Sequence, residues 1–369
     1  MNRKQYILGL VSVVIVALGI FVYIRGRKSN PPQQAAQPLP VVKTVFVRNP
    51  STQNGAGPYG SQPDTLLIWD LTNNKQIKKI AANLSPLQDS QYQLGPDDNV
   101  YFYNTSDKQV EFVNGAGQIS KLGFTAGSGD PTNSFLFSPD QTKIAWVSSD
   151  FSTAGKKTNV VSTIWSADLN GANKQQLDQK TFTGSTYLKL FRWSDRLYFS
   201  EEPNGIGDAV FGGMHNLWAY DFNSKSASKL IDPGADGLVT DLSWDNSTVA
   251  FVNGPLGKQR LNFTNLKFGP EQGYDLSLAE FKGGGDALFS PDGRFVVYDQ
   301  AHEDRANERF RTVKLQRASG EQTVILDQKT PILRLQRWVD NNTLLLEDTN
   351  GVDKYLLNLD GTNLRKIAL

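Results

Sequence analysis

The sequence predicts an all-β fold: a β-propeller of seven four-stranded blades, with six as the alternative, preceded by a single N-terminal transmembrane helix. Three observations predict it. A turn signature, an apolar or aromatic residue followed within three positions by aspartate, recurs six times: Leu94-Gly95-Pro96-Asp97, Phe137-Ser138-Pro139-Asp140, Trp193-Ser194-Asp195, Trp244-Asp245, Phe289-Ser290-Pro291-Asp292 and Trp338-Val339-Asp340. The lead residues stand 43 to 56 positions apart, a period that marks one supersecondary unit copied because it cannot bury its apolar face alone. Beyond the first thirty residues there is no helical apolar spacing, only short β-branched and aromatic runs bounded by turn residues.

The N-terminus is read first. Tyr6 to Ile24 is a run of 19 uncharged, mostly apolar residues, long enough to cross a bilayer core at about 1.5 Å per residue. Residues 1–28 are therefore expected to be a membrane anchor. A cleaved signal peptide is the rival, because Ala17-Leu18-Gly19 resembles a cleavage site; the apolar stretch, however, continues through Ile20 to Ile24. Arg3 and Lys4 on one flank nearly balance Arg25, Arg27 and Lys28 on the other, so positive charge alone does not orient it. An extracytoplasmic propeller on a single-pass cell-membrane anchor is the expectation. Residues 29–40, with Pro31, Pro32, Pro38 and Pro40 among Gln and Ala, read as a semi-extended linker.

Residues 41–369 are expected to form the propeller. Each unit has four strands, A to D: A precedes the aspartate, B follows it, and C and D flank a second polar turn. Strand B is Val100 to Tyr103, Ile144 to Val147, Leu197 to Phe199, Val249 to Val252, Phe295 to Tyr298 and Thr343 to Leu346 in turn. Second turns such as Asp168-Leu169-Asn170-Gly171 and Asn358-Leu359-Asp360-Gly361 supply the residues that tight hairpins need. Val41 to Val47, Thr65 to Trp69 and Gln76 to Ile80 make a partial first blade, which brings the count to seven. Radial packing of such sheets protects their edges.

These residues resemble the WD40-like repeats of TolB-type propellers, whose pattern is apolar-Ser-Pro-Asp-Gly and a later Asp-x-Asp-Gly turn. Phe289-Ser290-Pro291-Asp292-Gly293 matches the first part in full, and residues 168–171 and 358–361 match the second. Related repeats form the propeller of dipeptidyl peptidase IV-like enzymes. The resemblance implies fold. It does not carry over an envelope role or peptidase activity, since neither TolB's α/β domain nor a hydrolase domain has a counterpart here, and fold alone does not fix function.

Composition narrows the functional classes. Lys and Arg number 38 against 37 Asp and Glu, giving a net charge of +1, so no basic excess points to nucleic acid. There is no cysteine and there are two histidines, which excludes thiolate metal sites and a His-rich zinc centre. No Gly-x-Ser-x-Gly elbow is present. No cofactor and no metal are expected.

Strand parity places the A–B and C–D turns on one face and the B–C and D–A connections on the other. The long segments 148–160, 200–216, 253–260 and 300–309 are B–C connections in this register, so binding is expected on their face. The candidate binding residues are Asp150, Glu201, Glu202, Asp208, His215, Arg260, His302, Glu303 and Asp304. The expected function is a non-catalytic binding or scaffold module for a protein or cell-envelope glycan. The alternatives are a glycan hydrolase or lyase using Asp150, Glu201, Asp208 and Glu303, and a structural subunit of an envelope complex. The tryptophans are expected to pack between blades, and Gly283-Gly284-Gly285 to form a flexible D–A loop.

Overall fold

The computed structural model describes residues 43–48, 65–81, 92–104, 109–122, 135–154, 157–184, 186–203, 214–234, 237–255, 258–276, 281–302, 310–327, 330–348 and 353–369. The anchor expected over residues 1–28 and the linker at 29–40 lie outside them. Among the described residues no helix is long and apolar enough to cross a membrane.

The described chain is seven antiparallel sheets, each made of consecutive strands. Blade 1 holds β1 (Lys43–Arg48), β2 (Thr65–Asp70) and β3 (Lys75–Ala81). Blade 2 holds β4 (Gln93–Leu94), β5 (Val100–Asn104), β6 (Gln109–Val113) and β7 (Ile119–Lys121). Blade 3 holds β8 (Phe135–Phe137), β9 (Lys143–Ala154), β10 (Lys157–Asp168) and β11 (Gln175–Thr183). Blade 4 holds β12 (Thr186–Trp193), β13 (Leu197–Pro203), β14 (Leu217–Asp221) and β15 (Ser226–Ile231). Blade 5 holds β16 (Leu238–Leu242), β17 (Thr248–Asn253), β18 (Arg260–Asn265), and two short pieces on the edge of β18, β19 (Gly269–Pro270) and β20 (Tyr274–Asp275). Blade 6 holds β21 (Phe281–Phe289), β22 (Phe295–His302), β23 (Phe310–Gln316) and β24 (Gln322–Asp327). Blade 7 holds β25 (Leu333–Trp338), β26 (Thr343–Asp348), β27 (Lys354–Asn358) and β28 (Arg365–Lys366).

Period-two alternation turns successive side chains to opposite faces of a sheet, and here both faces are buried. On β5, Val100 and Phe102 pack with Leu66, Ile68 and Ile80 of blade 1. Tyr101 and Tyr103, the residues between, pack with Phe135, Ile144 and Trp146 of blade 3. The pattern repeats around the molecule. Ala145 and Val147 meet Leu188 and Phe199; Tyr198 and Ala219 meet Val239 and Val249; Ala250 and Phe263 meet Phe289 and Tyr298; Val297 meets Leu335 and Leu346. The seventh cluster closes the ring: Phe46, Leu67 and Trp69 of blade 1 pack with Leu345, Leu356 and Ile367 of blade 7. Seven cores between seven blades settle the count in favour of seven.

The aspartates act as turn clamps. Ser138 Oγ donates to Asp140 Oδ1 at 2.5 Å and accepts from Lys143 N at 3.0 Å. Ser290 Oγ repeats this with Asp292 Oδ1 at 2.7 Å and Phe295 N at 3.0 Å, and Ser243 with Asp245 at 2.6 Å and Thr248 N at 2.9 Å. The hydroxyl of Ser138, then the Thr142 amide and hydroxyl, hold the Asp140 carboxyl below its ordinary value.

A second polar set ties blade to blade. Asp241 on β16 accepts from Phe289 N on β21 at 2.8 Å, and Asp299 on β22 accepts from Leu335 N on β25 at 2.5 Å. Ser162 Oγ on β10 accepts from Leu188 N on β12 at 3.2 Å. Pairing slips by one residue at Leu190/Arg192, Val239/Asp241, Gly284/Ala287 and Leu335/Arg337. Such bulges leave one residue of a strand outside the ladder, and in blade 7 the bulge follows Leu335, whose amide donates to Asp299.

Two expectations are corrected here. Gly283-Gly284-Gly285 is not a D–A loop but part of β21, with Gly283 opposite Ala301 and Gly284 opposite Gln300. Segment 148–160 is not an open loop either: β9 and β10 stay paired from Lys143 and Asp168 out to Ala154 and Lys157. Within it Ser149 and Ser162 are fully buried with their hydroxyls 2.7 Å apart.

Candidate functional site

Because every blade is antiparallel, the A–B and C–D turns share one face and the B–C and D–A connections share the other. The A–B and C–D turns are uniformly tight. The long connections 49–64, 82–92, 122–134 and 204–216 lie largely outside the described residues. The strongest structured feature on the B–C face is the β9–β10 ribbon, which outruns the B and C strands of the other blades and exposes Phe151.

The sequence-nominated residues scatter along this side. Asp150 lies within β9 opposite Val161. Glu201 and Glu202 lie within β13 and not in a loop. Glu201 accepts from Trp218 Nε1 and from Asn216 Nδ2, each at 2.8 Å, while its backbone carbonyl accepts from His215 N at 2.9 Å. Glu202 pairs with Lys189 at 2.8 Å. Arg260 opens β18 and pairs with Asp275 at 3.3 Å. His302 ends β22; Asp208, Glu303 and Asp304 lie outside the described residues. Glu201 and His215 are thus joined through the backbone, while the Glu202 carboxylate is held by Lys189. Among the described residues no group of His, Cys, Asp and Glu could hold a metal ion.

Trp218, expected to pack between blades, stacks on Phe199 with planes 11° apart and carries Lys180 Nζ 3.4 Å from its ring centroid. Trp244 departs from that expectation. It is 49% exposed, because it sits at the tip of the blade 5 A–B turn.

The turn face holds what sequence reasoning missed. Phe268, 80% exposed, tips the C–D turn of the same blade, and the two turns are joined by Leu266 N donating to Ser247 O at 2.8 Å. Beside them a cavity of about 480 Å³ opens between blades 5 and 6, with Phe263, Tyr274 and Phe295 as walls and Glu271, Arg294 and Arg317 as its charges. Arg317 is pinned there. It donates to Glu271 Oε2 at 2.7 Å and Gly293 O at 2.9 Å, lies over Phe263 and Phe289, and its carbonyl accepts from Tyr274 Oη at 2.6 Å. The only sequence signal was weak: Lys267-Phe268-Gly269 puts a large apolar side chain where the other second turns are polar.

No protein-family model matches the chain, and no curated protein sequence matches it. Solved structures do resemble it. A protein from Lactobacillus plantarum superposes with a TM-score of 0.55 at 14% identity, over 88% of this chain and 95% of that one. An oligogalacturonate lyase in complex with manganese gives 0.52 at 11% identity, over 84% and 88%. TolB from Acinetobacter baumannii aligns over 88% of this chain and 78% of its own at 13% identity, with a TM-score of 0.37 that carries no argument by itself. At these identities the likeness is one of fold. The chain is a seven-bladed β-propeller whose overall fold is shared with the first two of these proteins.

Proposed function

We propose that this chain is a non-catalytic binding module, held at the cell membrane by its N-terminal segment with the propeller on the extracytoplasmic side. It engages a protein or a cell-envelope glycan through the face bearing the B–C connections. The observation that carries this reading is the β9–β10 ribbon, paired to its end, which projects on that face and exposes Phe151. A rigid projecting edge suits recognition, as loops on a stiff scaffold do. A glycan hydrolase or lyase has less support, since Glu201 is occupied by Trp218 and Asn216.

The test is site-specific photo-crosslinking in intact cells, with the probe at position 151 or, as control, at Ile77 on the outer strand of blade 1. A discrete adduct from 151 and none from 77 is expected; adducts from both or neither refute the face assignment. External protease should degrade the propeller, and complete protection would overturn the extracytoplasmic placement. Glycan turnover by the purified chain, lost in Glu201→Gln, would return the reading to the enzyme.

A second reading has its own observation, the aromatic turn face of blade 5 with Trp244, Phe268 and the adjoining cavity. It predicts adducts from position 268 and none from 151.

A further inference from the structure

The cavity between blades 5 and 6 is held rigidly from both sides. Its wall, Tyr274, is fixed at three points. The hydroxyl donates to Arg317 O at 2.6 Å, and the ring meets Phe263 with centroids 6.3 Å apart and planes at 63°. The same ring lies against Gly320, where a Cβ would stand 2.2 Å from Tyr274 Cε1. Gly320 has φ +75°, so a glycine there serves both the turn and the ring. The floor is the Arg317 guanidinium, whose carbon stands 5.2 Å from the Phe263 centroid and 5.1 Å from that of Phe289. About 480 Å³ of space above it falls within the size of ligand sites, roughly 300–1,000 Å³.

The charges of the cavity cancel. Arg317 is matched by Glu271 at 2.7 Å and Arg294 by Asp292 at 2.6 Å, so an ionic ligand meets each charge already beside its opposite. A purely apolar ligand fits no better, because Phe263 is 2% exposed and the rim is polar. Gln272 and Gln316 stand exposed on that rim, and each side-chain amide offers both donors and an acceptor. Arg294 gives its Nε to Asp292 and keeps 68% of its side chain in solvent. Planar donors and acceptors around a fixed aromatic wall match a ring that carries hydroxyls on its edge and C–H groups on its face.

Aromatic surface continues outside the cavity. Trp244 is the one exposed tryptophan of seven, and Phe268 on the adjoining turn is 80% exposed. A contiguous exposed apolar surface of this kind marks a site of interaction.

We propose that this cavity is a subsite for an uncharged sugar residue of a glycan chain. Tyr274 is its wall, Gln272, Gln316 and Arg294 bind the hydroxyls, and Phe268 and Trp244 are platforms on which the following sugars stack. The proposal rests on the second reading above, in which this turn face is the working surface, and gives that surface its ligand.

The experiment titrates the full chain with two uncharged tetrasaccharides, one of β-1,4-linked glucose and one of β-1,4-linked N-acetylglucosamine, and with a uronic-acid tetramer as the charged comparison. Affinity is read by calorimetry and by tryptophan fluorescence. At least one uncharged tetramer should bind saturably with a Kd below about 5 mM, and Trp244→Phe should remove the fluorescence change. Arg294→Ala and Gln316→Ala, both at exposed positions, should each weaken binding about fivefold with the urea midpoint unchanged. No binding of either uncharged tetramer at about 10 mM, tighter binding of the uronic-acid tetramer, or an affinity untouched by both rim variants overturns the proposal. A photo-adduct from position 268 to a protein, with no sugar bound, leaves the turn face as the working surface and removes only its glycan. Sugar binding that is lost in Phe151→Ala and survives the rim variants places the glycan on the B–C face and overturns both.

Discussion

Asp241 offers a test of how the blades are joined. It lies on β16, 6% exposed, and accepts Phe289 N and Leu242 N, each at 2.8 Å. Burial raises its pKa from 3.8 to about 6, against the pull of Arg192 and of the two amides. Arg192 stands off at 3.4 Å and keeps part of its side chain in solvent, so desolvation wins. A shift of roughly two units is worth ~3 kcal/mol of differential stability between the two protonation states. The sign follows from proton binding. The folded state holds a proton that the unfolded state has already released, so this stabilisation is complete below pH 3.8 and is lost as pH rises through about 6. Asn at this position does not titrate. The stability advantage of wild type over Asp241→Asn should therefore shrink by ~3 kcal/mol between about pH 4 and pH 7.5. Urea unfolding followed by tryptophan fluorescence at several pH values measures it, and other titrating groups cancel in the difference. An advantage that widens with pH would mean that the amides and Arg192 outweigh burial and that the carboxylate is ionised throughout.

Other perturbations read other parts of the design. Gly361 has φ +83° and a Cβ there would lie 2.6 Å from Ile325 O, whereas Gly234 has φ +86° and open space. Gly234→Ala should cost ~1 kcal/mol for the backbone alone and Gly361→Ala ~3 kcal/mol, read as the shift in urea midpoint; equal costs would refute the steric argument. Ser290→Ala removes the acceptor of Phe295 N and the donor to Asp292, and should cost ~2 kcal/mol in the same assay. The carboxyls of Asp140, held by the Ser138 hydroxyl, and Asp360, held by the Thr362 hydroxyl, sit below 3.8 in the folded state. They stabilise the turns above that pH and lose the effect as pH falls through their lowered values, so Asp140→Asn should flatten the acid limb of the stability curve.

The sequence carried the repeat and therefore the ring. Phe289-Ser290-Pro291-Asp292 announces a turn because one serine hydroxyl and one carboxylate satisfy three turn groups locally, so nothing distant is needed to recognise it. The degenerate turns work by substitution: at Trp193-Ser194-Asp195 the carboxylate is held by Tyr198 Oη and by Asn246 of the next blade. The candidate site was much less legible. Glu201 reads as a charged loop residue, and only the fold shows it buttressing Trp218. The β9–β10 ribbon reads as a long connection because its cross-strand pairing, Ser149 on Ser162 within it, has no local signature. The cavity beside Arg317 unites blades 5 and 6, and no single repeat contains it.

What repeats and what does not have separate physical jobs. The repeated residues build each blade; the unrepeated polar ones set how a blade meets the next. Asp241, Asp299 and Ser162 each receive an amide of the following strand A, yet they lie on strands A, B and C of their own blades. No shared motif marks them, because each receives its amide at a different strand position of its own blade. Arg192 and Arg337 are the exception, the same residue at the same bulge in two blades. For Arg192 the successor blade supplies the acceptors; for Arg337 the described successor supplies none.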